Sequence, residues 1–410
     1  MKPVHEHRAA VAALIPAARI ATVAPTDALG RVLAHDVHAP ISLPPFTNSA
    51  MDGYAVRSAD AGAGAVLPVT EDIPAGRRSI PPLAPGAAHR IMTGAAVPDG
   101  ADAIVPVEQT DGGTERVRID VAPQAGRFLR HAGDDIAAGQ TALSAGHIVG
   151  PAAVGLAAAL GLTTLDVLAP LRVLVLSTGS ELVTPGSPLV PGQIYESNAP
   201  MLAAAVRDAG AEAEVLRFVA DVPEELLGRL SERVEQGGVD LVVTTGGVSA
   251  GAYEVVKDAL TGRGVEFSKV AMQPGMPQGC GTLVLPDRDG RTVGGPTVPV
   301  VTFPGNPVSA LVSFEVFLRP ALRSAMGLVG DRPRRRARLD RAIESIPGKR
   351  QFLRGHLFRE TDGIDSVSIV GGAGSHYLRW LSKADCLVDI PPEVQHLAEG
   401  EPVDVIDLTQ

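Results

Sequence analysis

Three apolar runs, each ending in a loop of small residues, constrain the fold of this 410-residue chain more than any other feature. They are RVLVLSTG (172–179), DLVVTTGG (240–247) and the run Val298–Phe303 that leads into Pro304-Gly305-Asn306-Pro307. A strand that is apolar at every position is buried on both faces, as parallel strands covered by helices are. The text between them reads as helix. Ser197–Asn198, followed by Pro200 and an apolar repeat to Val206, looks like a capped helix. Pro223–Val234 and Tyr253–Leu260 read as two more, Val265–Val270 as a further strand, and GNPVSALVSFEVFLRPAL (305–322) as a long helix after a tight turn. Strands alternating with helices predict an α/β domain over 171–325 with a mostly parallel sheet.

The flanking text is different. Residues 4–15 read as a short amphipathic helix, and GPAAVGLAAALGL (150–162) as a helix opening near Pro151. Between about 40 and 140, the runs AVLPVT, HRIMTG, ADAIVPVE and ERVRIDV are cut by Gly and Pro, which predicts short strands and many turns. After DRPRRRARLDR (331–341) the alternating runs FLRGHLFRE, DSVSIVG and DCLVDIP predict a small C-terminal sheet or barrel. Four segments follow: 1–43 with 140–170 as a discontinuous helical or linker domain, 44–139 as an inserted β-rich domain, 171–325, and a β domain over 326–410. The basic run Arg332–Arg338 at the last boundary reads as a solvated linker.

Composition narrows the function. A net charge of −10 argues against a protein that coats nucleic acid. Two cysteines, Cys280 and Cys386, form neither a disulfide framework nor a zinc motif, which fits a reducing cytosol. The one long uncharged stretch, Ile148–Leu165, is rich in Ala, Gly and Thr, so a buried helix is expected there and no membrane span. The N-terminus lacks the basic-then-apolar order of a signal peptide, and His5 and His7 read as a flexible terminus without a third metal ligand.

In parallel α/β sheets, ligands bind beyond the carboxyl ends of the strands. There the chain offers Ser177-Thr178-Gly179, Thr245-Gly246-Gly247-Val248-Ser249 and Pro304-Gly305-Asn306-Pro307. Glycine lets backbone approach a ligand closely, and helix N-termini favour anions. Any one such loop is only a turn; three in one domain make a phosphate cradle. No GxxxxGK[ST] and no GxGxxG in strand–turn–helix context occurs, so an ordinary nucleotide or dinucleotide site is disfavoured.

Longer blocks carry a resemblance. PPFTNSAMDGYAV (44–56), RIMTGAAVPDGADAIVPVE (90–108), GDDIAAG (133–139), VLSTGSELVTPG, GQIYESN (192–198), DLVVTTGGVSAG (240–251) and FPGNPVSA (303–310) occur in this order. The series resembles the molybdopterin molybdenumtransferase family, MoeA-like proteins that include the C-terminal domain of gephyrin, over nearly the whole chain. The resemblance implies an enzyme that inserts molybdate into adenylylated molybdopterin with Mg2+-dependent release of AMP. It implies Asp52, Thr93, Asp135, Glu181 and Asp240 as catalytic residues, with Glu181, Asp240 and Glu254 as metal ligands. For molybdopterin it implies the cradle residues Ser177, Thr178, Gly179, Gly246, Gly247, Ser249, Pro304, Gly305 and Asn306, together with Ser309. Arg354, Ser375 and His376 of the last domain would close the site. The implied partners are small-molecule substrates, a second copy of the chain, and a molybdopterin adenylyltransferase, with no nucleic acid and no membrane.

One departure stands out. The family often reads KPGKP where this chain has VAMQPGMPQGCG (270–281), so Gln273 and Met276 replace two lysines, and anion capture falls to Lys269, Lys257 or an arginine. Cys280 stands where an aromatic residue is more usual and reads as a small buried hydrophobe. Two alternatives follow: a non-catalytic molybdopterin-binding or scaffold paralogue, motivated by the lost lysines, and a molybdopterin adenylyltransferase, disfavoured by the NSAMDGYA block.

Overall fold

The computed structural model describes residues 1–217, 222–247, 255–286, 295–360, 363–372 and 374–409. Its chain divides into one unit of Met1–Ile20 with Leu168–Gln410 and a second of Ala21–Val167.

The first unit is built on a six-stranded sheet in the order Glu212–Arg217, Arg172–Ser177, Leu241–Thr245, Thr297–Phe303, Pro277–Val284, Val265–Lys269. The first four strands are parallel: Val175 lies between Val215 and Val243, and Val243 pairs on with Val301. The last two run antiparallel as an edge hairpin. The apolar runs are double-sided because successive side chains feed different cores. Val173 and Val175 pack with Leu202 and Phe317, while Leu174 and Leu176 pack with Leu226, Leu230 and Val256. Helices Asn198–Asp208 and Pro307–Ser313 thus cover one face, and Pro223–Glu235 and Val255–Leu260 the other.

The long helix does not run evenly. After Pro307–Ser313 it widens into a π-helical turn over Phe314–Leu318 and resumes over Arg319–Ala325. Pro320 has no N–H to give Val316, and its ring would collide with that carbonyl, so a wider turn is the local solution. The N-terminal segment is not a loose end: Val4–Leu14 is a helix whose Val4 and Val11 join the first core, with His7 buried edge-on against Phe317 at 4.7 Å. It therefore belongs with the α/β unit.

The last segment closes into a barrel. Arg350–Arg359 pairs with both Asp365–Ile369 and Cys386–Ile390, and Arg334–Leu339 and Pro402–Asp407 complete the ring. The basic run is part of this barrel rather than a linker. Arg332 pairs with Glu315 at 2.8 Å and Asp208 at 2.7 Å, and Arg334 and Arg335 pair with Asp389 and Asp407, each at 2.8 Å. Alternation carries these charges to acidic partners while Ala337 and Leu339 enter the core.

In the second unit a five-stranded sheet runs Ala103–Pro106, Gly53–Val56, Ala88–Ile91, Val66–Ile73, Arg116–Arg118. Gly53 is obligatory there, since a Cβ would lie 2.0 Å from the Val105 carbonyl oxygen. Helix Pro151–Ala159 packs through Ala153 and Ala157 on Leu33, Val149 and Val167. Among the described residues, no helix is long and apolar enough to cross a membrane.

Candidate functional site

The three small-residue loops meet at the carboxyl ends of the parallel strands. The N–H of Gly246 donates to the Phe303 carbonyl at 3.2 Å, and the Thr245 hydroxyl to the Pro304 carbonyl at 3.2 Å. Two glycines allow this convergence. A Cβ on Gly246, at φ +91°, would lie 2.9 Å from the Thr178 carbonyl oxygen, and one on Gly305 would lie 3.3 Å from the Gly246 Cα. Ser177, Thr178, Gly179, Gly246, Gly247, Pro304, Gly305 and Asn306 are thus brought together. Ser309 is buried in the helix that follows. Ser249 and Glu254 lie outside the described residues.

Two residues that fix the cradle escaped the sequence reading. The Asn198 side-chain amide donates to the Gly305 carbonyl at 2.5 Å and to the Thr245 hydroxyl at 3.1 Å. Its Oδ1 is buried without a partner among the described residues. The Glu196 carboxylate accepts from the Ser177 hydroxyl and, at 2.8 Å, from the N–H of Ala199. The helix cap expected from Ser197 is therefore made by Glu196. The GQIYESN block held the signal: a carboxylate and an amide straddling a helix start.

Glu181 is exposed, and a Cβ at Gly179 would lie 2.7 Å from its carboxylate, which places that carboxylate at the cradle. Asp240 is not brought there. It precedes the first residue of Leu241–Thr245, at the amino end of the sheet, where it accepts from the Arg172 N–H at 2.8 Å and pairs with Arg19 at 3.2 Å. Among the described residues, no three His, Cys, Asp or Glu side chains gather as a metal cluster.

The last domain adds a small cavity of 140 Å³ lined by Gln273, Pro274, Val308, Gln351 and Arg354 among others. Arg354 is buried and donates to the carbonyls of Gly372 and, at 3.1 Å, Gly374; its Nε has no partner among the described residues. Burial pulls its pKa below the usual arginine value. Gln351 is also buried, with Oε1 unpartnered among the described residues, and it stands in register beside Gln273. A buried guanidinium with an open N–H is an anion receptor in waiting. Ser375 ties this loop to the cradle: its hydroxyl accepts from the Asn306 amide at 2.8 Å, and its carbonyl from the Val308 N–H at 3.1 Å. Met276 is half-buried in the turn that replaces KPGKP, its carbonyl accepting from Val270 at 2.7 Å, while Lys269 is exposed at its strand end. Cys280 is buried in the first core, and burial raises its thiol pKa.

In the second unit Asp52 and Thr93 form a pair. The Thr93 N–H and hydroxyl donate to Asp52 Oδ1 at 2.6 and 2.7 Å. The hydroxyl first, then the amide, hold the Asp52 carboxyl below the usual carboxylate range. Asp135 is exposed, with its N–H donated to the Leu43 carbonyl at 3.0 Å.

Models of known families match the chain in order: a MoeA N-terminal region (domains I and II) over residues 2–161, a probable molybdopterin-binding domain over 174–324, and a MoeA C-terminal region (domain IV) over 336–408. Molybdopterin molybdenumtransferase 2 of Mycobacterium tuberculosis is 54% identical over 422 aligned positions, covering 100% of both chains. Molybdopterin molybdenumtransferase 1 of the same organism is 39% identical, again over 100% of both. A crystal structure of a molybdopterin biosynthesis MoeA protein from Pyrococcus horikoshii superposes with a TM-score of 0.80 at 30% identity, covering 100% of this chain and 99% of that one. With three matched regions in one order and full-length relatives, the chain belongs to the MoeA-type molybdopterin molybdenumtransferase family.

Proposed function

We propose that this chain inserts molybdate into adenylylated molybdopterin and releases AMP, a reaction that requires Mg2+. The observation that carries this reading is the meeting of three backbone-lined turns beside a cavity holding a buried, partly unpaired arginine. Molybdate and the phosphates are all anions, so their approach needs positive charge and N–H donors on both sides. Arg354 with Gln273 and Gln351 takes the oxyanion, which supplies the arginine called for where the lysines are missing. The Ser177–Gly179, Gly246–Gly247 and Pro304–Asn306 turns take the phosphorylated part. Asp52, ionised and fixed by Thr93, and Asp135 act in the same reaction.

Magnesium needs only one or two carboxylates beside phosphate oxygens and waters, so the lack of a ready cluster among the described residues does not disqualify the site. Glu181, exposed at the cradle, fits as such a ligand. When bound, the ion neutralises charge on the pyrophosphate link that is cleaved. Asp240, held by Arg19 and Arg172 at the other end of the sheet, orders the strand that carries Thr245 and Gly246. The setting is the cytoplasm and the working form a homodimer that meets a molybdopterin adenylyltransferase.

AMP release from molybdopterin adenylate, with and without molybdate and Mg2+, tests this reading. Release that needs both, is lost with a chelator, and falls at least tenfold in Asp52→Ala and Arg354→Ala supports it. The uncharged Gln273 favours one rival, a scaffold paralogue. Tight binding of the adenylate without AMP release would establish that rival instead.

A further inference from the structure

Aromatic residues make up only 3% of the chain, and tryptophan occurs once. That tryptophan, Trp380, is 36% exposed on the short helix Leu378–Leu381, and Tyr377 just before it is 40% exposed. Both rings are seated on glycine backbone. A Cβ on Gly371 would lie 2.5 Å from the indole, and one on Gly374 would lie 2.9 Å from the Tyr377 ring. His376 supports Tyr377 edge-on at 4.4 Å. Cations lie over them: Lys383 and Arg379 stand 5.5 and 5.6 Å from the centre of the Trp380 ring, and Arg354 stands 6.0 Å from that of Tyr377. Among the described residues, neither Arg379 nor Lys383 has a carboxylate partner. In a chain of net charge −10, cations without a carboxylate partner beside two part-exposed rings make a local trap for a flat anionic ligand. The trap adjoins the cradle, because Ser375 in the same segment is bonded to Asn306.

We propose that Tyr377 and Trp380 form a stacking platform for the adenine ring of the adenylylated substrate, the flexible Arg379 and Lys383 side chains now over the indole turning aside to meet its phosphate. This rests on the transferase reading and deepens it. Two flat heterocycles linked to phosphate occur in that substrate, adenine and the pterin. The platform is exposed, whereas the Arg354 cavity is buried, so the reacting pterin end takes the inner place and the departing adenylate the outer one. Stacking is tolerant of ring identity, and the cations add selectivity for a phosphate on the ring's sugar.

With one tryptophan, the fluorescence of the full chain reports on this site directly. AMP quenches Trp380 saturably; inorganic phosphate at equal concentration does not. The affinity for AMP falls about tenfold in Tyr377→Leu and in Lys383→Ala, and calorimetry finds the same loss in Trp380→Leu, with thermal unfolding unchanged in all three. AMP binding that is indifferent to these substitutions, or no binding of AMP at millimolar concentration, overturns the proposal. Quenching that depends on Tyr377 with pterin-6-carboxylate but not with AMP also overturns it, by reversing the two ends. The AMP-release assay separates this from the activity: wild-type turnover without Trp380 quenching sinks the platform alone, and quenching without turnover sinks the transferase alone.

Discussion

Asp52 takes two hydrogen bonds on one oxygen from a single residue, so Thr93 controls its charge. Thr93→Ala removes the hydroxyl bond, the larger cause of the lowered pKa, and the Asp52 carboxyl moves up toward the ordinary range. A carbon-detected NMR titration of Asp52 reads this, and the acid limb of the AMP-release profile moves to higher pH with it. No rise would mean that the backbone amide alone holds the charge. His7 makes the opposite case, with burial and no compensation. Neither ring nitrogen has a partner among the described residues, and burial, with Lys2 adding repulsion, lowers its pKa from 6.5 to about 4. Between those values the unfolded chain binds a proton that the folded chain refuses. Stability from this group is therefore complete above pH 6.5 and is lost as pH falls toward 4, by about 3 kcal/mol. His7→Leu flattens that part of the curve, as urea midpoints at pH 7 and 4.5 would record. Little of this was legible beforehand. Asp52 and Thr93 stand out by their motifs, but their pairing spans strands, and a histidine in a polar N-terminal text gives no sign that Phe317 will cover it. Asp240 lies at the amino end of its strand, a placement its motif does not show, because a motif marks a strand without saying which end it occupies.

At the scale of elements, the apolar strands and their helices are readable because every residue of the run reports burial. Glu212–Arg217 is not, since alternating charges suit an edge, and Pro277–Val284 is broken up by glycines that pack under neighbouring strands. The widened turn Phe314–Leu318 places Glu315 inward, where it meets half-buried Arg332 at 2.8 Å and buried Arg319 at 3.7 Å. Glu315→Ala leaves two guanidiniums in the interior with one exposed carboxylate, Asp208, between them, and costs about 3–5 kcal/mol in the denaturant midpoint. A loss under 1 kcal/mol would mean that water reaches the pair. The loops make a second prediction. Gly246→Ala must push the Thr178 backbone away, so the cradle opens and kcat/KM for AMP release falls by about tenfold to a hundredfold. Gly262→Ala, also at positive φ but with open space around it, costs about 1 kcal/mol of stability and leaves turnover intact.

At the scale of the whole molecule, the chain crosses between its two units twice, after Ile20 and after Val167. Which unit would claim the N-terminal helix was not readable, because Val4 and Val11 are apolar in any setting and their partners come some three hundred positions later. The small C-terminal barrel, by contrast, was legible in the alternating runs after residue 341, and Arg350–Arg359 closes it by pairing on both edges. Each unit has its own cores: Tyr54, Val105 and Ile119 with Leu33 and Val149 in one, and the two faces of the parallel sheet with the barrel in the other. Cooperative folding follows the core, so each should fold alone. Residues 21–167 made by themselves should unfold in one transition and keep Asp52 low. In the other unit the Ala169 N–H donates to the Arg19 carbonyl at 2.7 Å, so the two cut ends lie side by side and a short Gly-Ser linker joins 20 to 168. That joined chain should fold and keep the AMP quenching of Trp380, because the cradle and the rings are both its own. Neither piece should release AMP from the adenylate if, as proposed, Asp52 and Arg354 both act in the reaction. Turnover by the joined chain alone would remove Asp52 from the reaction, and loss of cooperative unfolding in either piece would show that its own core does not suffice to fold it.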